Sequence, residues 1–208
     1  MSESTKQTRR STGRVRMTPA ERRETILNAA TELFADTGYQ RTKVSAVAAR
    51  VGVSEPVVFQ NFGTKSALYQ AVLERAVAHV CSTLAEAVAA GRSVTDLLSG
   101  FLEPEHMVRF HSRGALGFLF ADAFTLSGEP DLRDAVGAAH QRFADTFAEL
   151  VREGQREGVL RQDLDPDAAA WWLMSLLHAR TFRTAFMPEQ QALEGQLVSM
   201  TLETLTGH

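Results

Sequence analysis

Lys43, Ser54, Gln60, Asn61 and Lys65 stand within one short stretch of the chain. A carboxamide such as that of Gln60 offers an acceptor and two donors in one plane, the pattern that pairs bidentately with an adenine edge. A lysine ammonium suits a phosphate, which it attracts whatever the base sequence. Gln60 is therefore expected to read a base or reach a phosphate, and Lys43 and Lys65 to hold the backbone. Asn61 can hydrogen-bond in the same place. Thr42 and Thr64 fit helix caps first, with hydroxyls that can also donate to phosphate. Val57 and Phe59 can meet thymine methyl groups, with one of the two packing inside.

These side chains need a scaffold, and residues 42–65, TKVSAVAARVGVSEPVVFQNFGTK, provide one. Val44, Val47, Ala48 and Val51 recur at helical spacing and give a short helix one apolar face. Gly52 follows at once, where a helix end favours a residue tolerant of positive φ. Ser54 can cap a second helix, with Pro56 inside its first turn. Two short helices joined this tightly form a helix-turn-helix, whose second helix can enter the DNA major groove.

A preceding helix starts at Thr18-Pro19-Ala20-Glu21, a capping box with proline at the first position. Ile26, Leu27, Ala30, Leu33 and Phe34 line one of its faces, for packing on Val44, Val47 and Val51, and Gly38 ends it. Residues 1–17 carry Lys6, Arg9, Arg10, Arg14 and Arg16 without an apolar period and read as a disordered basic arm. Such an arm either has no role or strengthens phosphate and minor-groove contacts.

Charge is divided along the chain. Residues 1–75 hold 12 Lys+Arg against 7 Asp+Glu, a balance of +5; the remainder holds 10 against 18, a balance of −8. A basic front on an acidic body points to a local polyanion-binding face. Cys81 stands alone, so no intrachain disulfide forms. No apolar leader and no membrane-spanning run is present, and a soluble cytoplasmic chain is expected.

Beyond residue 65 the pattern is helical throughout. Helices are expected over 66–90, with Leu68, Val72, Leu73, Val77, Val80 and Leu84 buried, then over 94–102, 105–126, 130–157, 166–187 and 188–206. Gly91, Pro104 and the 127–130 loop separate them, and Asp165-Pro166 caps the penultimate one. The fold class is all-α: a disordered arm (1–17), a three-helix helix-turn-helix DNA-binding domain (18–65) and a larger helical ligand-binding and dimerisation domain (66–208). No HExxH, paired cysteines, phosphate loop or nucleophile elbow occurs among the residues. His106 and His111 are five apart and so about 140° apart on a helix. No catalytic residue, cofactor or metal is expected, and an enzyme is the most distant reading.

Over residues 26–73 the chain resembles the TetR family of bacterial transcriptional regulators. The resemblance rests on AATELFADTGYQRTKVSAVAARVGVS and VVFQNFGTKSALYQAVL: the Phe34-x-x-x-Gly38-Tyr39 helix end, the Ala48-x-x-x-Gly52-Val53-Ser54 turn and the Phe62-x-x-Lys65-x-x-Leu68 exit. The Glu157-Gly158-Val159-Leu160-Arg161 loop and the Asp165-Pro166 start are similar to the closing half of many members. The resemblance implies a homodimer on a palindromic double-stranded DNA operator, released when a small molecule in the body moves the two heads apart. It departs from the family at Glu55-Pro56-Val57, where a small or basic run is usual, at Phe59 for a tyrosine and at Asn61 for a histidine. Pro56 donates no N–H to phosphate, and Glu55 repels phosphate unless it accepts from a cytosine amine.

An effector pocket is expected among the body aromatics. Its candidates are Phe101, Met107, Phe110, His111, Phe118, Phe124, Phe143, Phe147, Trp171, Met174 and His178, a mainly apolar set that favours a hydrophobic effector. Arg113 or Arg180 can hold an acidic group. The last two helices are expected to make the dimer, through Ala169, Leu173, Leu176, Leu177, Leu193, Leu197 and Met200, as an intermolecular four-helix bundle. A repressor is the first reading; an activator, a dual regulator or a helical DNA-binding protein without effector are the alternatives.

Overall fold

The computed structural model describes residues 17–103, 105, 106, 109, 112–126, 128–187 and 191–207. Among these residues the chain is all-α. In order the helices are α1 (Pro19–Arg41), α2 (Val44–Val51), α3 (Glu55–Phe62), α4 (Lys65–Ala89), α5 (Val94–Leu102), α6 (Leu116–Thr125), α7 (Pro130–Arg156), α8 (Pro166–Phe186) and α9 (Gln191–Thr206).

Local chemistry sets most of these ends. The Thr18 hydroxyl accepts from the Glu21 amide at 3.2 Å, and the Glu21 carboxylate accepts from the Thr18 amide at 2.8 Å, so the capping box closes. Both amides are ones a helix start leaves without an intrahelical partner. Thr64 caps α4 by accepting from Ala67 N at 3.0 Å, and Asp165 caps α8 by accepting from Ala168 N at 2.7 Å. Gly38, at φ 78° and ψ 167°, breaks α1 before a last turn that runs on to Arg41. The helix expected over 105–126 is interrupted. Residues 112–115 turn about Gly114 (φ 84°), whose amide donates to the Ala35 carbonyl at 2.9 Å, and regular helix resumes at Leu116. Glycine supplies the positive φ that this reach back to α1 requires.

Two apolar cores result. The first joins Ile26, Ala30 and Phe34 of α1, Val47 of α2, Val58 of α3 and Leu68, Tyr69 and Leu73 of α4 to Leu119 and Ala123 of α6. The second joins Val94 and Leu98 of α5, Phe147 and Val151 of α7, Ala170 and Leu173 of α8 and Leu205 of α9. α4 is buried through Val77; beyond it Val80 and Leu84, expected inside, are only half-buried. α6 therefore packs on α1 and α4, and the body holds the head through it.

Candidate nucleic-acid interface

α2 ends at Gly52, in the left-handed region at φ 75°, and Val53 N donates to Ala48 O at 3.0 Å to close the turn. Ser54 then returns to extended backbone (φ −84°, ψ 154°) and α3 begins. Val58 and Phe62, one turn apart, are the residues α3 buries. That anchoring turns Glu55, Pro56, Phe59 and Gln60 outward, with Val57 and Asn61 half-buried at the margins. The sequence left one of Val57 and Phe59 inside; neither is buried, and Val58 takes that place.

The expected contact residues divide by what their side chains already do. Lys43, Ser54 and Gln60 are exposed, and their side chains make no hydrogen bond among the described residues. Ser54 occupies the N-cap position of α3 but makes no side-chain cap, contrary to expectation, which leaves its hydroxyl for another partner. Asn61 folds back and donates from Nδ2 to the Val57 carbonyl at 2.7 Å. Lys65 lies 4.4 Å from the centre of the Tyr39 ring and donates to the Gln40 carbonyl at 3.4 Å. Burial there lowers its pKa, although Asp122 opposes the shift. Thr64 is a cap and also meets the Ser66 hydroxyl at 2.8 Å. Thr42 is the C-cap of α1, as its type implied, but its place among the DNA contacts is corrected: it is 4 % exposed, and its hydroxyl is bonded to Gly38 O at 2.7 Å and to Thr37 Oγ1 at 2.7 Å. It closes the broken end of α1 and does not stand on the outer face.

Two residues that sequence reasoning missed complete this region. Arg23 of α1 donates to the Asn61 carbonyl at 2.5 Å and lies 4.1 Å over the Phe62 ring, so a cation sits at the C-terminal end of α3. Asp122 joins head to body. Its Oδ2 accepts from Tyr39 N at 2.8 Å and from the buried Tyr69 hydroxyl at 3.1 Å. Burial is the first cause, and the Asp122 charge the second, of a Tyr69 pKa far above the ordinary phenol value. The Asp122 carboxylate also fills the space beside Gly38, where a Cβ would meet Oδ1 at 2.8 Å. A signal for it was present: Asp122 is the lone charge in LGFLFADAFT, and a charge in an apolar helix implies partners. Nearby, Gln40 Nε2 donates to Glu129 at 2.8 Å and Gln70 Nε2 to the Asp131 carbonyl at 2.6 Å.

The expected effector residues scatter more widely. Phe101 packs edge-on against Phe147 at 4.9 Å, and Phe143 edge-on against Phe120 at 4.7 Å. Met174 is buried, while Phe118 and His178 are half-buried. Met107, Phe110 and His111 lie outside the described residues, as does the Phe124 side chain and residues 1–16 of the basic arm. Trp171 is a correction: α8 buries Ala169, Ala170, Leu173 and Met174, which turns Trp171 to solvent, 45 % exposed. The same geometry revises the expected seam. Ala169 and Leu173 are closed inside the second core, and Leu193 is half-buried. Leu176, Leu177 and Leu197 line a narrow cleft with Leu102, Val198, Arg180, Arg183 and Glu194. Arg183 holds Glu194 bidentately, at 2.6 and 2.9 Å. The apolar surface that α8 and α9 leave outside comprises Trp171, Trp172, Phe182, Phe186 and Met200. Among the described residues, no helix is long and apolar enough to cross a membrane.

A three-helix head with an outward second helix of a helix-turn-helix, fixed to a larger helical body, is the architecture of a DNA-binding regulator. The family described as "Bacterial regulatory proteins, tetR family" matches residues 26–72, and the "Tetracyclin repressor-like, C-terminal domain" matches residues 121–199. The chain belongs to the TetR family of transcriptional regulators. It is similar to the HTH-type transcriptional activator FasR of Mycolicibacterium smegmatis, 29 % identical over 74 % of this chain and 73 % of that one. It is also similar to the HTH-type transcriptional repressor KstR2 of the same organism, 24 % identical over 72 % of each. Among solved structures, a putative transcriptional regulator from Saccharomonospora viridis in complex with choline shares the fold. That similarity has a TM-score of 0.71 at 22 % identity, over 88 % of this chain and 96 % of that one.

Proposed function

We propose that this chain is a ligand-responsive repressor that binds a palindromic operator as a homodimer and leaves it when a small, mainly hydrophobic effector occupies the body. The observation that carries the reading is the outward face of α3, where Gln60 and Ser54 keep unused donors and acceptors while Val58 and Phe62 lock the helix to the head. In the groove, Gln60 reads a base edge, Lys43 and Lys65 hold phosphates, and Phe59 with Val57 meets thymine methyl groups. The arm (1–17), the head (18–65) and the body (66–208) divide the work.

Dimerisation is assigned to the outer faces of α8 and α9, where Trp171, Trp172, Phe182, Phe186 and Met200 form an apolar surface of the kind an oligomer covers. Two-fold symmetry then presents two copies of α3 to two half-sites. The effector acts only through a difference in affinity between the DNA-competent spacing of the heads and another spacing. The Asp122 contacts and the Gln40–Glu129 bond are the connections through which such a shift reaches α1. The similarity to an activator supports a second reading, in which the bound dimer recruits transcription instead of blocking it.

Random-library DNA selection with the purified chain, alongside gel filtration, tests the proposal. A palindrome recovered by a dimer supports it. A monomer, or binding without a preferred sequence, refutes it. A reporter downstream of the selected operator gives the sign of regulation.

A further inference from the structure

The outer face of α3 carries Glu55, Pro56, Phe59 and Gln60, all exposed. Residues four apart stack on one side of a helix, so these form two rows, Glu55 with Phe59 and Pro56 with Gln60. Glu55 is the first residue of α3, and its carboxylate makes no hydrogen bond or ion pair among the described residues. Three cations of the head are held elsewhere: Arg50 by Glu32 at 2.6 Å, Arg23 by the Asn61 carbonyl at 2.5 Å and Lys65 by the Gln40 carbonyl at 3.4 Å. Pro56, next in the chain, has no N–H to offer an anion. The leading end of α3 therefore presents an unpaired negative charge, which DNA phosphates repel.

The N-terminal residues of a recognition helix are the ones that meet base edges. An ionised carboxylate only accepts hydrogen bonds. The major groove offers it two donors, the N4 amine of cytosine and the N6 amine of adenine. Beside the adenine N6 lies the N7 acceptor, which repels the second carboxylate oxygen; the cytosine edge carries no such acceptor of its own. Guanine and thymine present acceptors alone. We infer that Glu55 is a specificity-determining residue that accepts from the N4 amine of a cytosine in each operator half-site. This rests on the reading of α3 as the operator-binding helix. The charge sharpens the choice, because over cytosine the repulsion is offset by a charge-assisted hydrogen bond and over guanine or thymine nothing offsets it. Methylation of that amine replaces the hydrogen facing the groove and leaves the pairing with guanine intact. The chain therefore discriminates N4-methylated operator DNA from unmodified DNA.

Random-library DNA selection with the full chain as wild type, Glu55→Gln and Glu55→Ala is the test. Wild type should recover a palindrome with a fixed cytosine in each half-site. Glu55→Gln should move that position to adenine, which a carboxamide pairs bidentately, and Glu55→Ala should leave it open. Wild-type affinity should fall roughly 5- to 150-fold when another base replaces that cytosine, and at least about 5-fold when its N4 is methylated. Glu55→Ala should bind the methylated and unmethylated operators alike. If a variant does not fold, wild type on operators methylated at one half-site cytosine at a time carries the decision, and the proposal falls if no such methylation weakens binding. A palindrome that both variants recover unchanged overturns the proposal and leaves the operator reading standing. So does a Glu55→Ala chain that binds every duplex more tightly by the same factor, since the carboxylate then only repels. Wild type without a preferred sequence removes the operator reading itself, and this proposal with it.

Discussion

Replacing Asp122 with alanine removes the carboxylate that joins the head to the body. Two hydrogen bonds to a charged acceptor are lost, from Tyr39 N at 2.8 Å and from the Tyr69 hydroxyl at 3.1 Å. Each such bond is worth about 1.5–3 kcal/mol. The loss is not the full sum. The Tyr69 hydroxyl keeps the Leu119 carbonyl, also at 3.1 Å, as an acceptor, and Tyr39 is only half-buried, so water reaches part of the vacated space. A destabilisation of about 2–4 kcal/mol follows. For a chain of this size each kcal/mol lowers the Tm by roughly 2–4 °C. Urea and thermal unfolding of wild type, Asp122→Asn and Asp122→Ala measure it. Asparagine keeps an acceptor but not the charge, so it should fall between the other two. Hydrogen exchange should place the loosening at the Tyr39 amide and the end of α1 first, where the lost bonds lie. An alanine variant within about 0.5 kcal/mol of wild type, the ordinary scatter of neutral surface substitutions, would refute this account of the latch.

Lys43→Ala should weaken binding to every duplex and reduce the salt slope by about one, whereas Gln60→Ala should cost about 1–3 kcal/mol on the operator and relax one base position; salt-series titrations on operator and scrambled DNA separate the two. Gly38→Ala forces an L residue to φ 78°, ψ 167° and drives its Cβ to 2.8 Å from the Asp122 carboxylate; a loss of at least about 1–3 kcal/mol in urea unfolding is expected. Glu194, with its pKa lowered first by its hydrogen bonds to Arg183, contributes stability that is present above the unfolded carboxylate range and lost as pH falls through the lower folded value. The acid limb of the stability curve should therefore flatten in Glu194→Gln, and an unchanged limb would contradict the assignment.

Much of this fold was legible in the residues because local chemistry fixed it. The capping box at Thr18, the Asp165 cap and the Gly52 turn each need only a few neighbouring atoms, and each forms as the residue types imply. The break at 112–115 was not legible, since it depends on a bond from Gly114 to Ala35 on a distant helix. At the candidate site, helical spacing placed Gln60 on an open face, but the period alone did not choose between Val57, Val58 and Phe59 for the inside. Packing against α2 and α4 made that choice. Thr42 read as a helix cap whose hydroxyl can also donate to phosphate; it is the cap, and its burial became visible only with the kink at Gly38. Trp171 read as pocket lining because aromatics line pockets, yet the side of α8 that packs on α7 left it outside.

The central claim is that α3 reads sequence and does not merely adhere to phosphate. Equilibrium titration of the wild-type chain against its selected operator and a scrambled duplex of equal length, at several salt concentrations, tests it most directly. The account predicts parallel salt slopes and an operator affinity higher by about 10³-fold or more at physiological salt. Equal affinity for both duplexes at every salt concentration would contradict it.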